Sequence, residues 1–72
     1  METKQLDDLI RIAAAGGGLV LNGAVRSTAD LVKIAAAASG TGARLFIKGA
    51  WGKPTDDLVR IAAAGRGAIV FE

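Results

Sequence analysis

Cysteine, histidine and tyrosine are absent from this chain, proline and tryptophan occur once each, and phenylalanine twice. Each absence closes off a class of function. Without cysteine there is no disulfide framework and no thiol nucleophile. Without histidine the commonest general base and a common metal ligand are gone, and no metal site is expected. Ser27 and Ser39 then lack the partner that would activate them, and a lysine nucleophile would need a burial of which Lys48 and Lys53 give no sign. The sequence therefore predicts a protein that is not an enzyme and uses no cofactor. Long hydrophobic runs are missing too. The longest apolar stretch falls far short of the roughly 20 residues of a membrane span, and no basic start followed by an apolar stretch resembles a signal peptide. No membrane contact is expected, and the cytoplasm is the expected compartment. Charge of one sign is also scarce: 9 basic and 7 acidic residues leave a net charge of +2, too little to point to nucleic acid.

What the chain does hold is aliphatic residues, alanine and glycine. Hydrophobic residues make up 51% of its 72 positions, which is too many for a disordered chain and enough for one small domain spanning residues 1–72. A domain this short buries a modest share of its surface, so a single core is marginal without help. With disulfides and the commonest metal ligands gone, self-association is the help that remains. A homo-oligomer is expected, a dimer first of all, with an unidentified protein partner as the other option.

The residues are organised around one stretch stated three times: Asp8-Leu9-Ile10-Arg11-Ile12-Ala13-Ala14-Ala15, Asp30-Leu31-Val32-Lys33-Ile34-Ala35-Ala36-Ala37 and Asp57-Leu58-Val59-Arg60-Ile61-Ala62-Ala63-Ala64. Each copy has apolar residues at helical spacing. Each runs into glycine and then a short apolar run: Leu19-Val20-Leu21, Leu45-Phe46-Ile47 and Ile69-Val70-Phe71. A helix and a strand recurring at a fixed period is a repeat signature, with units at about 5–26, 27–53 and 54–72. The first helix is predicted over Gln5 to Ala15 behind a cap at Thr3, and Gly16-Gly17-Gly18 stops it. Ser27 or Thr28 caps the second, with Ser27-x-x-Asp30 forming a capping-box pattern. Pro54 and Thr55 open the third and Gly65 closes it. Strands are expected at Leu19–Leu21, Arg44–Lys48 and Ala68–Glu72.

Strands separated by single helices must run parallel. Units that repeat one another's geometry give an α/β fold: a three-stranded parallel sheet in order 1-2-3 with helices mainly on one face, a short solenoid. The rival is order 2-1-3 with helices on both faces, as in a piece of a doubly wound sheet. The two-residue alternation of a strand decides between them. Leu19, Leu21, Leu45, Ile47, Ile69 and Phe71 share one face. The other carries Val20, Phe46 and Val70 together with Asn22, Lys48 and Glu72, and such a face is poor cover for helices. Order 1-2-3 is favoured, and Val20, Phe46 and Val70 become a candidate interaction surface. Leu19-x-Leu21-x-x-Ala24 and Leu45-x-Ile47-x-x-Ala50 resemble the core of the leucine-rich repeat motif of the helical kind. The leading leucine is absent, and alanine stands where that family has an asparagine that bonds the turn. The resemblance implies an architecture and no function.

Two strings tempt a sharper reading. Gly49-Ala50-Trp51-Gly52-Lys53-Pro54-Thr55 sits between a strand and a helix, where a phosphate loop belongs. A phosphate loop needs four residues between its glycines and a lysine adjoining serine or threonine, and neither holds here. Nucleotide hydrolysis is excluded, but a weaker use of the same place survives. Ligands of parallel sheets bind beyond the carboxyl ends of the strands, and that rim holds Arg26, Lys48, Trp51, Lys53 and Thr55 as a candidate anion or ligand site. Arg11, Lys33 and Arg60 recur at one place in each unit, and each follows an aspartate by three residues, which predicts an ion-paired, solvated face. The sequence thus points first to a small non-catalytic binding or protein-interaction module that self-associates. The alternatives are an anion- or nucleotide-binding module using the Trp51 loop, and an engineered or truncated repeat without activity, to which the near-identity of residues 7–16 and 56–65 points.

Overall fold

The computed structural model describes residues 6–72, so the predicted cap at Thr3 and helix start at Gln5 lie outside the described residues. Helix α1 (Leu6–Ala14) buries Leu9 and Ala13, four positions apart on one stripe. Its end is the glycine stop the sequence announces. The Gly17 N–H donates to the Ile12 carbonyl and the Gly16 N–H to the Ala13 carbonyl, both at 3.0 Å, with Gly16 at φ 93°. This paired arrangement satisfies carbonyls that a helix end leaves open. Helix α2 (Thr28–Ala38) starts at Ser27, whose Oγ accepts the Asp30 N–H at 3.2 Å. Helix α3 (Thr55–Gly65) follows Pro54 at its N-cap.

Gly65 closes the third helix as its last residue, ahead of the left-handed turn. It is still helical and buried, and a Cβ there would run into the Ile69 side chain, so glycine is needed for close packing. The left-handed turn falls one residue later, at Arg66 (φ 49°) and Gly67 (φ 91°). The Arg66 N–H donates to the Ala62 carbonyl at 3.1 Å.

The strands β1 (Leu19–Asn22), β2 (Leu45–Lys48) and β3 (Ile69–Phe71) form a parallel sheet in the order β1-β2-β3. The register is in phase throughout: Leu19, Leu45 and Ile69 align, as do Val20, Phe46 and Val70, and Leu21, Ile47 and Phe71. The loop between β2 and α3 contains a single 3-10 turn at Ala50–Gly52. The helices cover one side of the sheet, with α2 packed between α1 and α3. Leu19, Leu21, Leu45 and Ile47 meet Leu9, Leu31, Ile34 and Ile61 in one apolar core. No polar side chain is buried among the described residues. The sheet's far side leaves Val20, Asn22, Lys48 and Glu72 exposed. The 2-1-3 alternative is not adopted, because that polar border would have to lie under a helix.

Two contacts stitch the units together. Gly23 is buried, and its N–H donates to the Lys48 carbonyl at 2.7 Å. A Cβ at this position would stand 2.7 Å from both the Ala50 Cβ and the Ile47 Cγ2. The Thr41 hydroxyl lies 3.0 Å from the Ala13 carbonyl and 2.9 Å from that of Ala38, so it donates at the place where α1 and α2 both end. Asn22 Oδ1 accepts the Ala24 N–H at 2.9 Å and closes the turn after β1.

Candidate functional site

The open sheet face is built by register alone. Parallel pairing sets Val20, Phe46 and Val70 side by side on three neighbouring strands about 4.8 Å apart. Val20 is 48% exposed, and Phe46 and Val70 are half-buried. Asn22 and Lys48, paired in the next row, and Glu72 give this apolar row a polar border on the carboxyl side of the strands.

The five rim residues do not form one cluster. Lys48 alternates outward with Phe46 and belongs to the sheet-face border. Arg26 is half-buried, and its carbonyl accepts the Lys53 ammonium at 3.1 Å, so the basic side chain closes a loop contact. Trp51 is 64% exposed, with its ring centroid 5.8 Å from that of Phe71 and the planes tilted by 59°. The pair lies at the sheet edge, with Phe71 half-buried against the core and the indole exposed beside it.

Trp51, Lys53 and Thr55 do meet, in a groove of about 300 Å³ between α3 and β3, on the side turned away from α2. Leu58, Val59, Ala62 and Phe71 complete its wall. Sequence reasoning missed these four. Residue type carried no signal for them: Val59 stands where Ile10 and Val32 stand in the other units, and only the structure sets it apart, at 58% exposed while those two are half-buried.

The expected ion-paired face is thinner than the spacing suggests. Among the described residues, the predicted pair that closes is Arg60–Asp57, at 4.0 Å with the arginine side chain 67% exposed. Such a pair contributes little in water. The other Asp57 oxygen has a more informative role: Oδ2 accepts the Thr28 hydroxyl at 3.2 Å and joins α2 to α3. Among the described residues there is no cluster of acidic side chains that could hold a metal, and no helix is long and apolar enough to cross a membrane. No family model matches the chain, and comparison with curated proteins and with solved structures returns no match.

Proposed function

We propose that the protein is a small, non-catalytic interaction module that self-associates, with the Val20–Phe46–Val70 face as its contact surface. The observation that supports this is the register. Three apolar side chains are aligned on a sheet face that no helix covers, in a chain whose single core is small. A second apolar surface laid on this row removes it from water at roughly 25 cal/mol per Å², the driving force of most association. The test is the molar mass in solution by light scattering over a dilution series. A mass above the 7.3 kDa of one chain is expected, and a mass below the native chain's at each concentration for Phe46→Asp while the far-UV circular dichroism stays unchanged. If the Phe46→Asp chain kept the same mass at every concentration, the sheet face would not be the contact. A native chain that stayed monomeric throughout would remove self-association itself.

One observation favours a second reading, in which the Trp51 loop binds an anion or a nucleotide. The groove brings Trp51, Lys53 and Thr55 around one opening, with the Arg26 backbone tied to Lys53. Phosphate should then raise Tm and change Trp51 fluorescence. Protection that persisted when Arg26, Lys48 and Lys53 were all changed to Ala would end this reading.

A further inference from the structure

The groove beside α3 is where a fourth helix would stack if the solenoid went on. At α1 and α2 the positions equivalent to Leu58 and Ala62 are fully buried: Leu9 and Ala13, then Leu31 and Ala35. On α3 Leu58 keeps 9% of its surface and Ala62 is exposed. Among the described residues, the opposite end of the molecule is open in the complementary sense. Asp8, Arg11, Ile12 and Ala15 line a shallow surface depression on α1. Their equivalents on α3 are Asp57, Arg60, Ile61 and Ala64, of the same four residue types.

The α2–α3 junction shows what these two surfaces do when they meet. Thr28 at the start of α2 donates to Asp57 of α3. Ala35 of α2 lies 3.6 Å from where a Cβ on Gly65 would stand, so it faces α3, and Ile61 is fully buried. The outward residues of α3, Thr55, Leu58, Val59 and Ala62, repeat in type those of α2: Thr28, Leu31, Val32 and Ala35. The ends of the molecule therefore carry the two halves of a junction of the kind the fold already makes between α1 and α2 and between α2 and α3.

From this we infer that a second copy of the chain docks head to tail, its α1 end seated in the α3 groove of the first. In the assembly Thr55 donates to Asp8 of the neighbour as Thr28 donates to Asp57 within one chain. The free edges of β3 and β1 also come together, continuing the parallel register of Leu19, Leu45 and Ile69 into the next copy. Such an interface joins two different surfaces, so it extends into a chain of copies or a ring and does not stop at a pair. The inference rests on the self-association reading but uses the ends of the solenoid, not the sheet face.

The experiment is done in the Phe46→Asp chain, with Val20→Lys as a second background should the first not fold, so that sheet-face contact is removed. Light scattering is run on three forms: with free ends, with Ala62→Arg blocking the groove, and with Ala15→Arg blocking the α1 end. Both alanines are exposed, so each form should keep its circular dichroism spectrum. The free-ended form should gain mass steadily with concentration. Each blocked form should be monomeric alone, and an equal mixture of the two should form a pair and no more, since one chain offers a free α1 end and the other a free groove. A free-ended form that stays monomeric, or a mixture that does, overturns the inference and leaves the sheet-face reading standing. Should Phe46→Asp leave association intact while the two arginines abolish it, the sheet-face reading falls and this one holds. If the unsubstituted chain is monomeric at every concentration, both fall.

Discussion

At the scale of single residues, stability rests on places where two units share one small group. Gly23 is the clearest. A methyl there meets Ala50 and Ile47, both essentially fully buried, and lies 3.1 Å from the Lys48 carbonyl, so neither side chain nor backbone can move aside cheaply. Overpacking of this kind costs about 1–3 kcal/mol, against about 0.4–1 kcal/mol regained because alanine stiffens the unfolded chain. The middle of that balance puts Gly23→Ala about 1 kcal/mol below the parent in stability, seen as an earlier urea midpoint with an unchanged slope. A midpoint equal to or above the parent's would mean that the two turns are not packed as described. Thr41 is a milder case. Thr41→Val keeps the shape but removes the donor shared by the Ala13 and Ala38 carbonyls and the acceptor of the Ala43 N–H. The turn is exposed and water replaces part of the loss, so about 0.5–1.5 kcal/mol is expected. Neither role was legible beforehand. A glycine between a strand and a helix reads as a turn residue, and nothing in its neighbours tells which glycine also lies under another unit. Gly65 shows the same limit, since the string Ala64-Gly65-Arg66-Gly67 offers two candidates for the left-handed stop.

At the scale of elements, the three units are not equally held. Helix α2 packs against helices on both sides and β2 pairs on both edges, whereas α1, α3, β1 and β3 each have one neighbour of their own kind. Burial separates the last unit from the others: Leu19 and Leu21 of β1 and Leu45 and Ile47 of β2 are buried, while Ile69, Val70 and Phe71 of β3 are all half-buried. Local opening starts where apolar contacts are few and backbone bonds meet water. Hydrogen exchange should therefore show the amides of β2 and of α2 around Ile34 and Ala35 as the slowest, with β3 exchanging well before them. Uniform protection across the sheet would contradict this gradient. The architecture itself was legible because two periodicities survive intact in the sequence. The helical spacing marks three helices, and the alternation in each strand places Asn22, Lys48 and Glu72 on the uncovered side. That second pattern decided the strand order, since a helix laid over those residues would take two charges and an amide out of water. The groove was not legible in the same way. The residues of α3 are nearly those of α1, and sequence type alone does not say which copy has no neighbour.

At the scale of the whole molecule, a repeat fold stabilises each unit through its contacts with the next, so the two outermost surfaces are the ones left incomplete. With one modest core and no covalent or metal staple, the chain gains much from any copy that covers them. Binding to the folded form alone raises apparent stability with concentration, by up to about 1.4 kcal/mol for each tenfold. For a domain of this size that moves Tm by several degrees. The contacts at issue, on the sheet face and at the ends, are largely aliphatic and aromatic, with Asp8 and Arg11 at the margin. Salt screens charges but leaves apolar burial intact, and sulfate strengthens it. Tm of the native chain should accordingly rise with protein concentration at low and at high sodium chloride alike, and further in sulfate. A rise confined to low salt would instead mark a contact made by the basic residues, and would shift weight from the apolar surfaces to Arg26, Lys48 and Lys53. A Tm indifferent to concentration would show that one chain folds without a partner, and would end both association readings.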